Sequence, residues 1–93
     1  MIKDFHDEAT LKAWLGEFSR RLPNQIQQVA RRKLRMIHNA QRIEDLRIPP
    51  NNRLEALKGN RTGQWSIRIN DPWRVFFVWK DGRTSHVEIC DYH

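Results

Sequence analysis

An acid, a phenol and an imidazole stand side by side at the far end of the chain, where EICDYH places Asp91, Tyr92 and His93 in succession. An imidazole titrates near neutrality and can give or take a proton. The strands that precede it alternate, and the positions opposite in parity to the apolar ones are Arg68, Asn70, Arg74, Glu88, Cys90 and Tyr92, with Lys58 at the end of LEALK. Arginine and lysine supply fixed positive charge without proton chemistry. Cations, a carboxylate and an imidazole on one surface suit a reaction on RNA, which brings its own nucleophile, the 2′-hydroxyl. Such a reaction needs a base for that hydroxyl, an acid for the 5′-oxygen and cations for the extra phosphate charge. Composition and spacing permit this chemistry without singling it out. Taken one at a time, each arginine reads more readily as half of a surface ion pair, and the last residues as a frayed tail.

Other chemistries lack their patterns. KGNRTG is not a phosphate-binding loop, because no Lys-Ser/Thr pair follows the second glycine. There is no nucleophile elbow and no dinucleotide fingerprint, so no cofactor is expected. His86, Cys90 and His93 hint at a metal. On one regular strand, 86 and 90 would face one way and 93 the other, and no metal site is expected.

The elements that must position these residues follow from periodicity. MIKDF reads as a short first strand. Asp7 caps a helix with Glu8 in its first turn; Leu11, Trp14, Leu15, Phe18 and Leu22 form its apolar stripe, Arg20 and Arg21 its last turn, and Pro23 its end. A second helix opens at Asn24, with Ile26, Val29, Ala30, Leu34, Ile37 and Ala40 inward. Gln28, Arg32, Arg35, Asn39 and Arg42 line its other side, as a solvated face or as a contact for phosphates or an acidic partner. Lys33 falls in the apolar sector and is expected to snorkel. RIEDLRIPPNN reads as a loop, since two prolines forbid helix. RLEAL begins a strand, KGNRTG turns, and QWSIRIN alternates with Trp65, Ile67 and Ile69 inward. WRVFFVW is apolar on both parities, as a central strand is. Asp81-Gly82 is a hairpin turn into TSHVEICDYH. The expected fold is α+β, in the order β-α-α-β-β-β-β: two helices on one face of a mostly antiparallel sheet.

With 93 residues, 39% of them hydrophobic and four Trp and four Phe among them, the chain has material for one core and is expected to be a single domain over 1–93. Mean hydropathy is −0.80, and no apolar run approaches the ~20 residues of a membrane span. The first residues are broken by Asp and Glu where a signal peptide needs an apolar stretch, and one cysteine makes no internal disulfide; both suggest the cytoplasm. Seventeen Lys and Arg against eleven Asp and Glu give a net charge of +6, which favours a polyanionic or acidic partner.

NRLEALKGNRTGQWSIRINDPWRVFFVW followed by VEICDYH resembles the HigB toxins of the RelE/ParE superfamily, also called plasmid-maintenance killer proteins, which belong to bacterial toxin–antitoxin systems. The likeness is densest from Pro49 to His93 and rests on L-K-G-x-R-x-G-Q-W-S-I-R-I-N, W-R and D-Y-H. It implies the RelE-like form of the fold above and a ribosome-dependent mRNA endonuclease that cuts codons in the A site. It also implies a HigA-like helix-turn-helix antitoxin that neutralises the toxin and through which operator DNA is bound.

By motif, His93 matches the family's terminal histidine, with Asp91 and Tyr92 beside it; Lys58 matches the lysine of L-K-G and Arg74 the arginine of W-R. Glu55 stands where some HigB toxins have histidine, and where YoeB-type relatives place a basic-role glutamate in E-x-L-K. The resemblance thus implies Glu55 as base and His93 as acid, with Lys58 and Arg74 stabilising the phosphorane and Tyr92 stacking on a base or orienting the phosphate. Asp91 polarises His93 or takes the base role instead. Arg68, Asn70, Arg32 and Arg35 are the candidate RNA contacts. A ParE-like gyrase poison and a non-enzymatic basic RNA- or protein-binding module are the alternatives.

Overall fold

The computed structural model describes residues 1–91. Helix α1 (Glu8–Leu15) begins where the extended Asp7 accepts the Thr10 N–H at 2.8 Å, and Glu8 complements the dipole of its first turn. It stops at Gly16, whose φ of +78° lets the Gly16 and Glu17 amides fold back onto the carbonyls of Ala13 and Lys12. The helix is therefore much shorter than the apolar stripe to Leu22 suggested. Its buried residues are Ala9, Thr10 and Ala13, while Leu11, Leu15 and Phe18 are 39%, 53% and 61% exposed.

Helix α2 (Asn24–Asn39) starts at the expected residue and buries Ile26, Ala30, Leu34 and Ile37 at helical spacing. Lys33 does not snorkel. It is buried, and its ammonium donates to Asn52 Oδ1 at 2.5 Å. Asn52 in turn donates to the Leu46 carbonyl at 3.2 Å. That network organises the segment expected to be plain loop, which instead forms two 3₁₀ turns, Ile43–Arg47 and Pro50–Asn52. Single 3₁₀ turns accommodate the prolines that exclude a longer helix.

Four strands make one antiparallel sheet in the order β1 (Glu55–Ala56), β2 (Gln64–Arg68), β3 (Trp73–Lys80) and β4 (Arg83–Asp91). The expected first strand is reduced to two parallel bridges, Ile2 to Thr84 and Phe5 to Val87, which cover part of the outer edge of β4. Thr10 covers the next stretch, its Oγ1 accepting the Ile89 N–H at 3.0 Å. Ile67, Val75 and Ile89 are register partners and pack with the α2 stripe, Phe77 and Val87 in one core. Each fully buried side chain of Leu or Phe size contributes about 1.5–3 kcal/mol of transfer free energy.

Candidate functional site

Residues paired across an antiparallel sheet share a face. Glu55, Ser66, Phe76 and Glu88 form one row across all four strands, and Arg68, Arg74 and Cys90 form the next. Both rows lie on the face opposite Ile67, Val75 and Ile89, away from the helices. Strand alternation alone thus brings Arg68 and Arg74 to one side, where their parity put them, and Glu55 joins them there.

Arg74 is the fixed centre of this face. Its side chain is buried, Nε donates to Ser66 Oγ at 2.9 Å, and Nη2 donates to the Arg53 carbonyl at 2.7 Å. Arg53 has φ of +47°, an unusual conformation for a branched-free but non-glycine residue, and this turns its carbonyl toward the guanidinium. A buried arginine held at two edges keeps its guanidinium in a set orientation.

Glu55 and Lys58 lie on one wall of a groove of about 500 Å³ lined by Glu55, Ala56, Leu57, Lys58 and Arg61. Lys58 is not at the end of a long strand, because β1 closes after Ala56; it precedes the 3₁₀ turn Gly59–Arg61. Among the described residues neither the Glu55 nor the Lys58 side chain has a hydrogen-bond or ion-pair partner, which leaves both available to a ligand.

Sequence reasoning missed Arg61, the arginine of L-K-G-x-R-x-G, which reads as a turn residue. The turn swings it back over the sheet. Its guanidinium lies 4.4 Å from the centroid of Phe76, donates to Gln64 Oε1 at 3.0 Å and stands 3.6 Å from Glu88 Oε1. Stacking on Phe76 holds the charge flat against the face. Glu88 is thereby a partner of Arg61 and of His6, whose Nδ1 is 3.7 Å from Glu88 Oε2.

The other predicted residues are engaged locally or placed elsewhere. Arg68 is tied to Asp71 at 2.6 Å, and that guanidinium holds the Asp71 carboxyl below its ordinary range. Asn70 accepts the Trp73 N–H at 2.9 Å and closes the β2–β3 turn. Arg32 and Arg35 are exposed on α2, with Gln28, on the helix side of the sheet and away from Glu55 and Arg74. Asp91 pairs with Trp73, so by parity it lies on the face of Ile89 and not on that of Cys90. Tyr92 and His93 lie outside the described residues.

His86 breaks the regular strand assumed for the metal argument. Its φ is +53°, the register shifts between Phe76 and Val78, and its amide donates to Asp4 Oδ1 at 2.6 Å. His86 and Cys90 therefore do not share a strand face by simple parity. Burial, with Glu88 as the next cause, raises the Cys90 thiol pKa, which disfavours a thiolate there. His6, Asp7 and Glu88 have ligand-type atoms within 4.8 Å of one another, but Asp7 caps α1 and Glu88 faces Arg61.

Two helices on one side of a four-stranded antiparallel sheet, with cations gathered on the other, define an α+β domain of the RelE-like class. The same fold occurs in a YoeB–YefM complex from Staphylococcus aureus, with a TM-score of 0.62 at 20% identity over 100% of this chain and 98% of that one. A YoeB dimer from Staphylococcus aureus gives 0.60 at 22%, over 99% and 94%. A family model described as the RelE-like toxin of type II toxin–antitoxin system HigB matches residues 3–93. Toxin HigB-1 of Vibrio cholerae is 44% identical over 88 residues, covering 88% of this chain and 87% of that protein. The protein named Endoribonuclease HigB in Proteus vulgaris is 39% identical over 41 residues, 44% of this chain and 45% of its own. The chain belongs to the HigB family of RelE-like toxins of type II toxin–antitoxin systems.

Proposed function

We propose that this toxin is an endoribonuclease that cuts mRNA in the ribosomal A site without a metal, and that a HigA-like antitoxin neutralises it. The name of the Proteus vulgaris relative supports the nuclease activity, and the YoeB–YefM complex supports an antitoxin partner. One observation carries the reading: a carboxylate with no described partner, Glu55, shares a sheet face with the doubly anchored cation Arg74.

In this mechanism Glu55 takes the proton of the 2′-hydroxyl, whose oxygen attacks the adjacent phosphorus. Arg74 and Lys58 stabilise the added negative charge on the phosphorane oxygens, and Arg61 extends the cationic field along the groove. The 5′-oxygen leaves with a proton from His93, giving a 2′,3′-cyclic phosphate and a 5′-hydroxyl. Tyr92 stacks on a base. Glu55 is assigned as base in preference to Asp91 because it lies in the row adjoining Arg74, whereas Asp91 follows the parity of the core positions.

The test is incubation of the purified chain with ribosomes programmed with a defined mRNA. Cuts confined to the A-site codon, and none in the same RNA free in solution, are expected. Intact mRNA together with gyrase-dependent DNA breaks would replace this reading with a gyrase poison. Salt-sensitive RNA binding without any cleavage would replace it with a basic adaptor.

A further inference from the structure

The short α1 leaves a surface that the sheet-face chemistry does not use. Leu11 and Leu15, one turn apart, and Phe18 just after the helix are large, apolar and exposed. Single exposed apolar residues are ordinary; three within eight positions, one of them lining concave surface, mark a contact. Phe18 lines two depressions. One, of about 410 Å³, also includes Ala9, Lys12, Arg20 and Arg21. The other, of about 270 Å³, includes Ala13, Gly16, Gln28 and Arg31. Through Gln28 and Arg31 the second runs into a third, of about 480 Å³, walled by Arg32 and Arg35. The three depressions adjoin through Phe18, Gln28 and Arg31 to form a trough, with Phe18 and Arg31 in the middle stretch and Arg20, Arg21, Arg32 and Arg35 toward the two ends.

Arg31 stands at its middle. The guanidinium is pressed so close over Gly16 that a Cβ there would lie 3.0 Å from its central carbon, and its buried Nε has no hydrogen-bond partner among the described residues. A buried donor without an acceptor is costly, and a carboxylate arriving where Arg31 lines the two depressions would compensate the charge of the same guanidinium. Among the described residues, the carboxylates lining these depressions are Glu8, already paired with Lys12 at 3.4 Å, and Glu17.

We propose that this trough is the docking surface for the antitoxin, which lays on it an acidic segment with apolar anchors: the apolar side chains seat around Phe18 and Leu15, and the carboxylates meet Arg31, Arg32 and Arg35. This rests on the reading above that an antitoxin neutralises the chain. A second copy would bring like charge to like, at +6 per chain, and is the poorer occupant. An RNA backbone would satisfy the arginines but would find nothing in Leu11 or Leu15. The surface lies on the opposite side of the sheet from Glu55 and Arg74.

The experiment uses the full chain and the antitoxin encoded by the adjoining reading frame, with affinity measured by titration calorimetry and RNA cleavage measured on the free toxin. Leu15→Ser with Phe18→Ser is expected to weaken antitoxin binding on the order of 100-fold, and Arg31→Glu on the order of tenfold, as loss of central anchors does. Cleavage by the double variant should stay within about twofold of the parent, and Glu55→Lys should leave antitoxin affinity within about twofold. Unchanged affinity in the folded double variant, or loss confined to Glu55→Lys, overturns the proposal. So does loss of RNA affinity with antitoxin binding intact. Should the double variant not fold, Arg31→Glu decides. A parent chain that cuts no RNA, yet loses its antitoxin on these substitutions, sinks the nuclease reading and leaves the docking surface standing.

Discussion

Arg74 Nε and Ser66 Oγ are 2.9 Å apart across β2 and β3, in a position closed to solvent. Ser66 is thus a positioning residue for the cation at the centre of the sheet face. Ser66→Ala removes the acceptor and leaves a buried charged donor to reorient, with a loss of about 1–3 kcal/mol in stability. The same change is expected to lower the cleavage rate by on the order of tenfold through misdirection of Arg74. A double-mutant cycle separates positioning from general damage: in an Arg74→Ala background, Ser66→Ala should have no further effect on cleavage. A full additional loss would deny Ser66 this role.

Glu55 and His93 form the proposed acid–base pair. Glu55→Gln keeps the size and removes the proton acceptor, so single-turnover cleavage should fall by about 10²–10⁴-fold. His93→Ala should abolish growth arrest on expression with the far-UV circular dichroism unchanged. A loss under about tenfold for Glu55→Gln would move the base role to another carboxylate, with Asp91→Asn as the next variant to measure.

Arg61, stacked 4.4 Å from the centroid of Phe76, is exposed at the groove while it leans on the sheet. Arg61→Met retains the aliphatic stem and removes the charge. Binding of a short single-stranded RNA should weaken, and the slope of log K against log salt should shrink by about 0.7, the share of one phosphate contact. An unchanged slope would show that Arg61 serves only Phe76 and Glu88.

Much of this arrangement was legible because strong periods survive folding. The α2 stripe from Ile26 to Ile37, the alternation of β2 and the unbroken apolar run of β3 are set by burial against one another, so their spacing in the sequence is their spacing in the core. The misreadings have local causes. Leu11, Leu15, Phe18 and Leu22 kept helical spacing across Gly16, but the left-handed glycine cap ended α1 and turned Phe18 outward. Lys33 finds an acceptor nineteen positions away in Asn52, a contact that no window along the chain contains. Arg61 stood within a quoted motif, yet its role depends on a tight turn that doubles it back over β3, and His86 left strand parity through a bulge.

Thr10 ties α1 to β4, the last strand. Its side chain is fully buried, and Oγ1 accepts the Ile89 N–H at 3.0 Å. Thr10→Val is nearly isosteric and strands that amide, so stability should fall by about 1–3 kcal/mol. For a chain of this length each kcal/mol corresponds to a Tm shift of roughly 4–8 °C. Thr10→Ser keeps the acceptor and should retain the Ile89 amide's protection in hydrogen exchange, which Thr10→Val should lose. Equal protection in both would mean that the hydroxyl contributes nothing to holding β4.

Lys33 makes stability depend on pH in the alkaline range. Burial first, then the charges of Arg32 and Arg68, lowers its pKa below the ordinary lysine value. Between that lowered value and the unfolded one, the unfolded chain binds more protons than the folded chain, so this group makes stability rise with pH. Below the window the folded state bears the full burden of holding a buried ammonium, which Asn52 Oδ1 offsets by accepting a hydrogen bond from it. Asn52→Ala should therefore cost about 3 kcal/mol near neutrality, since it removes the acceptor of a buried cation and the donor to the Leu46 carbonyl. Lys33→Met should flatten the alkaline rise, because methionine has no proton to release. Chemical denaturation of both chains from pH 7 upward gives the difference directly: the parent's stability relative to Lys33→Met should increase as pH climbs toward the unfolded lysine pKa. A difference that stays level, or declines, would mean that the ammonium is hydrated in solution and that Asn52 is not its principal support.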